Sequence, residues 1–391
     1  MSLRRKLLIA APGAALGVAA FGLWPKPAAA QPGGDWGAAQ GYPTGWGPAG
    51  QMPRWEGYPA YRAGNYSGGF EVMFRHHLIT APAQPSPLQA TPVAVNYRWG
   101  FGRRSVQDYL DQWPVTGLLI ARKGRVLSEH YRFGRDASMR LTSWSMAKSV
   151  TSLLVGIALD QGLIRSLDDL PQDYVPELQG TLHGQVPLRH LLNMSSGADV
   201  LHERDPVRID VPALLGWPQA RTVGTDVNRV VREWRGKLEA PGVRFSYNEL
   251  CPLTMGMVLR AVSGGSLAQF AQTQLWQPMG AEADASWLTD ALGREYNCVG
   301  FAARLRDWAR LGQLVAQQGE MQGHQVVLIE QFQRRRFGLG DEEALRLGQR
   351  IHDRSVHGPT LAMRSARGRS SACDIWDTVV AGEPACRTEK L

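Results

Sequence analysis

In "TSWSMAKSV", residues 142–150, a serine and a lysine stand three positions apart. If they open a helix, Ser145 and Lys148 are i and i+3 and project from one face, about a turn apart. Either they are ordinary polar residues on a first turn, or they are a nucleophile and the base that activates it. A serine hydroxyl is a weak nucleophile until a base takes its proton. A desolvated lysine can be that base, because burial lowers its pKa towards neutrality. The head of a helix also presents unpaired N–H groups and partial positive charge, which stabilise negative charge developing on a substrate oxygen. Lys148 lies between Ala147 and Ser149 at the root of an apolar run. A lysine there is costly unless it is paired or used.

The elements that must hold this pair are legible from pattern. "TGLLIARKGRVLSEHYRFG" reads as two strands joined by a Lys123-Gly124 turn, a hairpin by its turn chemistry. In "SWSMAKSVTSLLVGIALDQGLI", Val150, Leu153, Leu154, Ile157 and Ala158 recur at helical spacing, so a helix is expected over 143–162, ending at Gly162. "VPLRHLLNMSSG" reads as a short helix with Pro187 at its start and Gly197 past its end. "SYNELCPLTMGMVLRAVSGG" opens on a turn and becomes a helix stopped by Gly264-Gly265. "SLAQFAQTQLWQPMG" and "AARLRDWARLGQLVAQQG" read as two further amphipathic helices. A hairpin first, helices in the middle and no regular β–α alternation indicate an α+β fold.

The 391 residues, 44% hydrophobic, are enough for a sizeable core in two or three units or one large domain with insertions. The net charge of +8 sits at the ends. Residues 1–30 hold four cations and no acid, and 331–391 carry an excess of three cations, which leaves +1 for 31–330. That is no nucleic-acid footprint. Arg4-Arg5-Lys6, the apolar run Leu7–Leu23 and Ala28-Ala29-Ala30 have the order of a secretory signal peptide with a small-residue cleavage site, so 1–30 is expected to direct export. Pro12, Gly13, Gly17 and Gly22 make that run a poor permanent span, and no other segment is long and apolar enough to cross a bilayer. Residues 31–94 begin rich in Gly, Pro, Trp and Tyr, and are read as an arm or linker. Cys251, Cys298, Cys373 and Cys386 have no CxxC spacing and His76, His77 and His190 have no partners at ligand spacing, so no metal is expected. Pairing among the cysteines of an exported chain stays open. Asp168-Asp169 is read as a cap on the next turn, and Arg334-Arg335-Arg336 as a solvated face or part of a divergent end.

Several of these segments, taken in order, resemble the serine β-lactamase and penicillin-binding-protein superfamily, in its branch of class C-like esterases and 6-aminohexanoate-dimer (nylon oligomer) hydrolases. They are "SWSMAKSVTSLLVGIALDQGLIRSLDDLPQDYVPEL", "VPLRHLLNMSSG", "GVRFSYNELCPLTMGMVLRAVSGGSLAQFAQTQLWQPMGAEADASW" and "VGFAARLRDWARLGQLVAQQGEMQGHQVV". The resemblance covers roughly residues 95–330. It implies Ser145 as acylated nucleophile, Lys148 as its proton acceptor and Tyr247 of "SYNE" as the catalytic tyrosine, a separation of 102 residues that suits this branch. A phenol beside a lysine can relay the serine proton to the leaving group and then help activate water.

The chain departs from that pattern in three places. The third residue of the tyrosine motif, ordinarily Asn or Ser, is here Glu249, with Asn248 one place early. Glu249 either faces Lys148, raises its pKa and opposes its use as a base, or turns outward. The stretch after the S-S-G turn, "LHERDPVRID", lacks the second tyrosine that the resemblance associates with amide substrates, which favours esters. The final strand of such proteins, whose N–H completes the oxyanion hole, is matched only by His357-Gly358 in "SVHGPT". Beyond it, 338–391 shows little alternation, as would follow either from a change of reading frame or from divergence.

The expectation is an exported, periplasmic or secreted serine hydrolase. Its α+β, β-lactamase-like fold has a mixed or antiparallel sheet, flanking helices and a mostly helical subdomain, in a hydrolase domain over 95–337 followed by the divergent segment 338–391. Ser145, Lys148 and Tyr247 are the expected catalytic residues, and Glu249, His357 and Gly358 the expected substrate-binding ones. No cofactor is implied. The substrate is a small ester or, second, an amide. A β-lactamase, a D-amino-acid peptidase and a catalytically impaired binding relic remain the alternatives.

Overall fold

The computed structural model describes residues 71, 75–99, 101–112, 115, 117–132, 135–200, 226–329, 332–333 and 336. Strands β1 (His76–Ile79), β2 (Gln89–Ala90), β3 (Asn96–Trp99) and β4 (Gly102–Ser105) precede helix α1 (Val106–Gln112). The expected hairpin follows as β5 (Gly117–Arg122) and β6 (Arg125–Tyr131). Its two-residue turn places Lys123 at φ 50° and Gly124 at φ 76°, a conformation glycine adopts without strain and which matches the twist of the flanking strands.

After β7 (Arg140–Thr142), a 3₁₀ turn at Trp144–Met146 runs into α2 (Ala147–Asp160). Nearly every residue of α2 from Ala147 to Leu159 is buried, so this helix runs through the core rather than along its surface. Helices α3 (Leu188–Leu192), α4 (Arg229–Glu233), α5 (Leu250–Ser263) and α6 (Leu267–Ala271) come next, and α5 packs on α2. Gly264, left-handed at φ 67°, ends α5 as expected. Strands β8 (Ala285–Leu288) and β9 (Phe301–Arg304) then lead into α7 (Leu305–Ala316), and the two-residue strands β10 (Glu320–Met321) and β11 (His324–Gln325) pair as a hairpin.

One sheet runs β1-β8-β9-β7, antiparallel throughout. A second runs β2-β6-β5, with β2 parallel to β6 and β5 antiparallel to it; β3 and β4 form a separate hairpin. Among the described residues β5 ends its sheet. The architecture is thus α+β, with antiparallel and mixed sheets against a largely helical region. Behind the first sheet, the Phe301 ring meets Trp276, Trp287 and Trp308 edge-on at 5.1–5.5 Å between centroids, a geometry that suits the ring quadrupoles.

Several expectations are corrected. The second half of the arm read over 31–94 is built into the body: β1 pairs with β8, and β2 pairs with β6. Ile79, fully buried, and the bond from His77 to buried Glu295 fix it there. "AAR" before α7 is strand rather than helix, because pairing of Ala302–Arg304 with β7 overrides the local helical pattern. The helix over "SLAQFAQTQLWQPMG" is α only to Ala271 and passes into a π-helical turn at Gln272–Trp276. Arg336 is not a solvated face residue: it is 8% exposed and donates to Asn193 Oδ1 (2.7 Å) and Leu192 O (2.8 Å). Asp168 pairs with Arg189, and Asp169 with Arg165 and Tyr174. Residues 1–30, 201–210 and 338–391, with the expectations placed on them, lie outside the described residues.

Candidate active site

The site forms where β7 leaves the first sheet. Pairing of Thr142 with Ala302 is continued by a bond from the Ser143 N–H to Phe301 O (2.8 Å), which sets the start of the nucleophile turn against β9. Trp144, the next residue, has φ 45°. A positive φ is unfavourable for a large side chain, and the surrounding pairing holds it there at Ser145's doorstep. Ser145 therefore sits in the 3₁₀ turn, half-buried, and Lys148 in the first turn of α2, 4% exposed.

A second segment arrives from the far side. The turn at Met194–Gly197 is stitched to residues 238–246 by Leu238 N–H to Gly197 O (2.9 Å), Gly242 N–H to Ser195 O (2.8 Å) and Ser246 N–H to Met194 O (2.7 Å). Gly197 is required: at φ 76°, an added Cβ would stand 2.3 Å from Glu239 O. The chain then reaches "YNE". Asn248 turns away from the site and caps α5, its Oδ1 accepting from the Cys251 N–H (2.9 Å), while its Nδ2 donates to Ser246 O (2.8 Å). Tyr247 and Glu249, two residues apart, both face Ser145 and Lys148.

A third segment is the loop before β9. Asn297, fully buried, is wedged between the two core helices: its Nδ2 donates to Pro252 O (2.6 Å) and its backbone O accepts from Thr151 Oγ1 (3.0 Å). The following carbonyl, Cys298 O, is thereby aimed at Lys148.

The resulting geometry is compact. Tyr247 Oη lies 2.6 Å from Ser145 Oγ, and Lys148 Nζ donates to Ser145 Oγ at 3.1 Å and to Cys298 O at 2.9 Å. Glu249 Oε2 stands 2.5 Å from Lys148 Nζ, with both side chains buried, and the Tyr247 ring centroid is 5.0 Å from the same nitrogen. Of the two orientations open for Glu249, it takes the inward one. Burial pushes the Lys148 ammonium down, but the Glu249 carboxylate, helped by Tyr247 and Cys298, outweighs it and holds Lys148 above the ordinary lysine value. This reverses the expected direction: burial without an anion would have made Lys148 a base.

Ser145, Lys148, Tyr247 and Glu249 are thus brought together, whereas His357 and Gly358 lie outside the described residues. Sequence reasoning missed Asn248 as the helix cap, Asn297 as the wedge and Cys298 as the carbonyl partner. A backbone carbonyl leaves no residue signature, so only the fold could supply the last. Among the described residues, no three His, Cys, Asp or Glu side chains group as metal ligands, and Cys251 and Cys298 are free thiols, both buried.

Comparisons with known proteins agree with this fold. A curated 6-aminohexanoate-dimer hydrolase of Paenarthrobacter ureafaciens is 25% identical over 226 residues, 57% of this chain and 57% of the relative's own length. The chain thus spans little more than half of that protein. A solved "putative 6-aminohexanoate-dimer hydrolase" from Bacillus anthracis superposes with a TM-score of 0.62 at 22% identity, covering 71% of this chain and 74% of the other, a likeness of fold. The profile of the Beta-lactamase family matches residues 103–336, more than half of the chain and the whole described site. The chain belongs to the beta-lactamase family.

Proposed function

We propose that this chain is a serine hydrolase that transfers the acyl group of a small carboxylic ester to water through a covalent intermediate on Ser145. The observation that carries this is the position of Ser145 Oγ, between Tyr247 Oη at 2.6 Å and Lys148 Nζ at 3.1 Å, on a half-buried turn that a substrate can reach. A hydroxyl so placed can lose its proton as it attacks, and the backbone N–H groups at the head of α2 are oriented to stabilise the oxyanion. The Ser145 Oγ–carbonyl carbon bond forms and the ester C–O bond breaks, with the serine proton delivered to the leaving alkoxide. Water then reverses the sequence and frees the acid.

Amide hydrolysis is the second reading, favoured by the name of the Paenarthrobacter relative. Esters take precedence because residues 201–210 contain no tyrosine to serve an amide. We also propose export, directed by residues 1–30.

A fluorophosphonate probe followed by peptide mass analysis tests the hydrolase function. One probe adduct on Ser145, absent from Ser145→Ala, is the expected result. No adduct on well-folded protein overturns it. Turnover of p-nitrophenyl acetate, a penicillin and the linear 6-aminohexanoate dimer then separates esterase, β-lactamase and amidase.

A further inference from the structure

Acyl transfer through Ser145 needs a nucleophile and a proton carrier, and neither task falls to Glu249. Yet its carboxylate is 4% exposed and points at the centre of the site. Three oxygens stand around Lys148 Nζ: Ser145 Oγ at 3.1 Å, Cys298 O at 2.9 Å and Glu249 Oε2 at 2.5 Å. An ammonium has three N–H donors and no lone pair, and this set of acceptors matches it. A lysine so held gives a hydrogen bond to Ser145 and has nothing with which to take one. The other group on Ser145 Oγ is Tyr247.

We propose that Glu249 is a positioning residue: it keeps Lys148 as an ammonium and a fixed donor to Ser145, so that Tyr247 takes the serine proton. This rests on the hydrolase function proposed above. In acylation the Ser145 proton passes to the Tyr247 phenolate as the Oγ–carbon bond forms. The phenol then gives that proton to the departing alkoxide as the ester C–O bond breaks, which restores the phenolate. Deacylation runs the same transfers with water as the nucleophile and Ser145 as the leaving group. The charges on Lys148 and Glu249 are unchanged throughout.

The charged and titratable groups around Lys148 are few. Glu249 and Tyr247 face it from the approach to α5, and the Cys298 carbonyl and thiol from the loop before β9. Across a small cavity lies Arg336, which is bound to Asn193 Oδ1 and Leu192 O. Glu249 offsets the positive charge of Lys148, so a phenolate on Tyr247 gains less from that charge than it would beside an unpaired lysine. Removing the carboxylate stabilises the phenolate and also eases loss of the Lys148 proton. Both changes move the alkaline limb of the reaction in one direction, to lower pH, and the apparent value belongs to the cluster.

The test is the rate of fluorophosphonate labelling at Ser145 between pH 5.5 and 10.5, with kcat/KM for p-nitrophenyl acetate in parallel. Wild type, Glu249→Gln and Glu249→Asp are compared after circular dichroism has shown each to be folded. Wild type is expected to climb into the alkaline range. Glu249→Gln is expected to shift that limb down by about one pH unit or more, roughly tenfold in rate at a fixed pH on the slope. Glu249→Asp, which keeps the charge, should stay close to wild type. Coincident limbs for wild type and Glu249→Gln overturn the proposal, as does an equal shift in Glu249→Asp. Loss of labelling at every pH in folded Glu249→Gln also overturns it, since the carboxylate would then be an obligatory proton acceptor. Wild type that fails to label at all pH values overturns the hydrolase function itself, a separate result.

Discussion

The Lys148–Glu249 pair can be weighed by unfolding as well as by kinetics. Its side chains are 2% and 5% exposed and 2.5 Å apart, so screening by solvent is slight. At an effective dielectric of about 20, a contact that close is worth roughly 7 kcal/mol of gross attraction. Desolvation of the two ions repays most of this, and the net value of such pairs is small. Removing one partner is different, because the other charge is left buried. Lys148→Met is therefore expected to destabilise by about 3–5 kcal/mol, which for a domain of this size lowers Tm on the order of 10 °C. Lys148→Met/Glu249→Gln removes both charges and should recover most of the loss. Guanidinium unfolding, or calorimetry where unfolding is reversible, of the two single variants and the double gives a coupling energy of about 2–3 kcal/mol by this reasoning. The sign with pH also follows. The folded Lys148 value is raised, so its contribution is fully present below the unfolded lysine value and lost only as pH rises through the folded one. The cycle should give the same answer at pH 6 and pH 9. A Lys148→Met cost under about 1 kcal/mol, or a double variant as unstable as the sum of the singles, would refute the burial argument.

Tyr247→Phe keeps the ring against Lys148 and deletes only the hydroxyl; kcat on an ester should fall by roughly 10²–10⁴-fold with Tm nearly unchanged, as steady-state kinetics and a thermal melt will show. Asn248→Ala removes the cap on α5 and should cost about 1 kcal/mol in guanidinium unfolding. His183 is fully buried, and burial pushes its imidazole down to about 4. The unfolded chain then binds a proton that the folded one does not, so stability should decline by up to about 3 kcal/mol as pH drops from 6.5 towards 4. His183→Phe should flatten that slope in unfolding curves across the range.

Much of this site was written where local chemistry is loud. Ser145 and Lys148 share a helix start, Lys123-Gly124 can hardly be other than a turn, and Gly264 stops α5 where it stands. Tyr247 needed resemblance, because 102 residues of chain carry no local cue that two side chains will meet. The four strands of the first sheet escaped notice for a physical reason. They are three or four residues long, β8 is buried on both faces and so does not alternate, and Ala302–Arg304 has helical rather than strand propensity. Their pairing partners, not their own residues, decide them. The direction of Glu249 was equally illegible, since it depends on Asn248 turning aside to cap α5.

The placement of β1 bears on how this protein can be cut. The family match begins at residue 103, downstream of His76–Ile79, so a chain trimmed to that boundary would lack the strand that lies against Ala285–Leu288. It would also lose His77 from Glu295, a fully buried carboxylate that then relies on Arg260 and the Ala268 N–H. Strand β8 would present bare N–H and C=O groups beside Trp287, a template for any extended segment that comes near. Two such trimmed molecules would associate through it, and a sample holding both full-length and trimmed chains would exchange strands. Insolubility of a minimal fragment would thus report a missing four-residue strand rather than an unstable catalytic core.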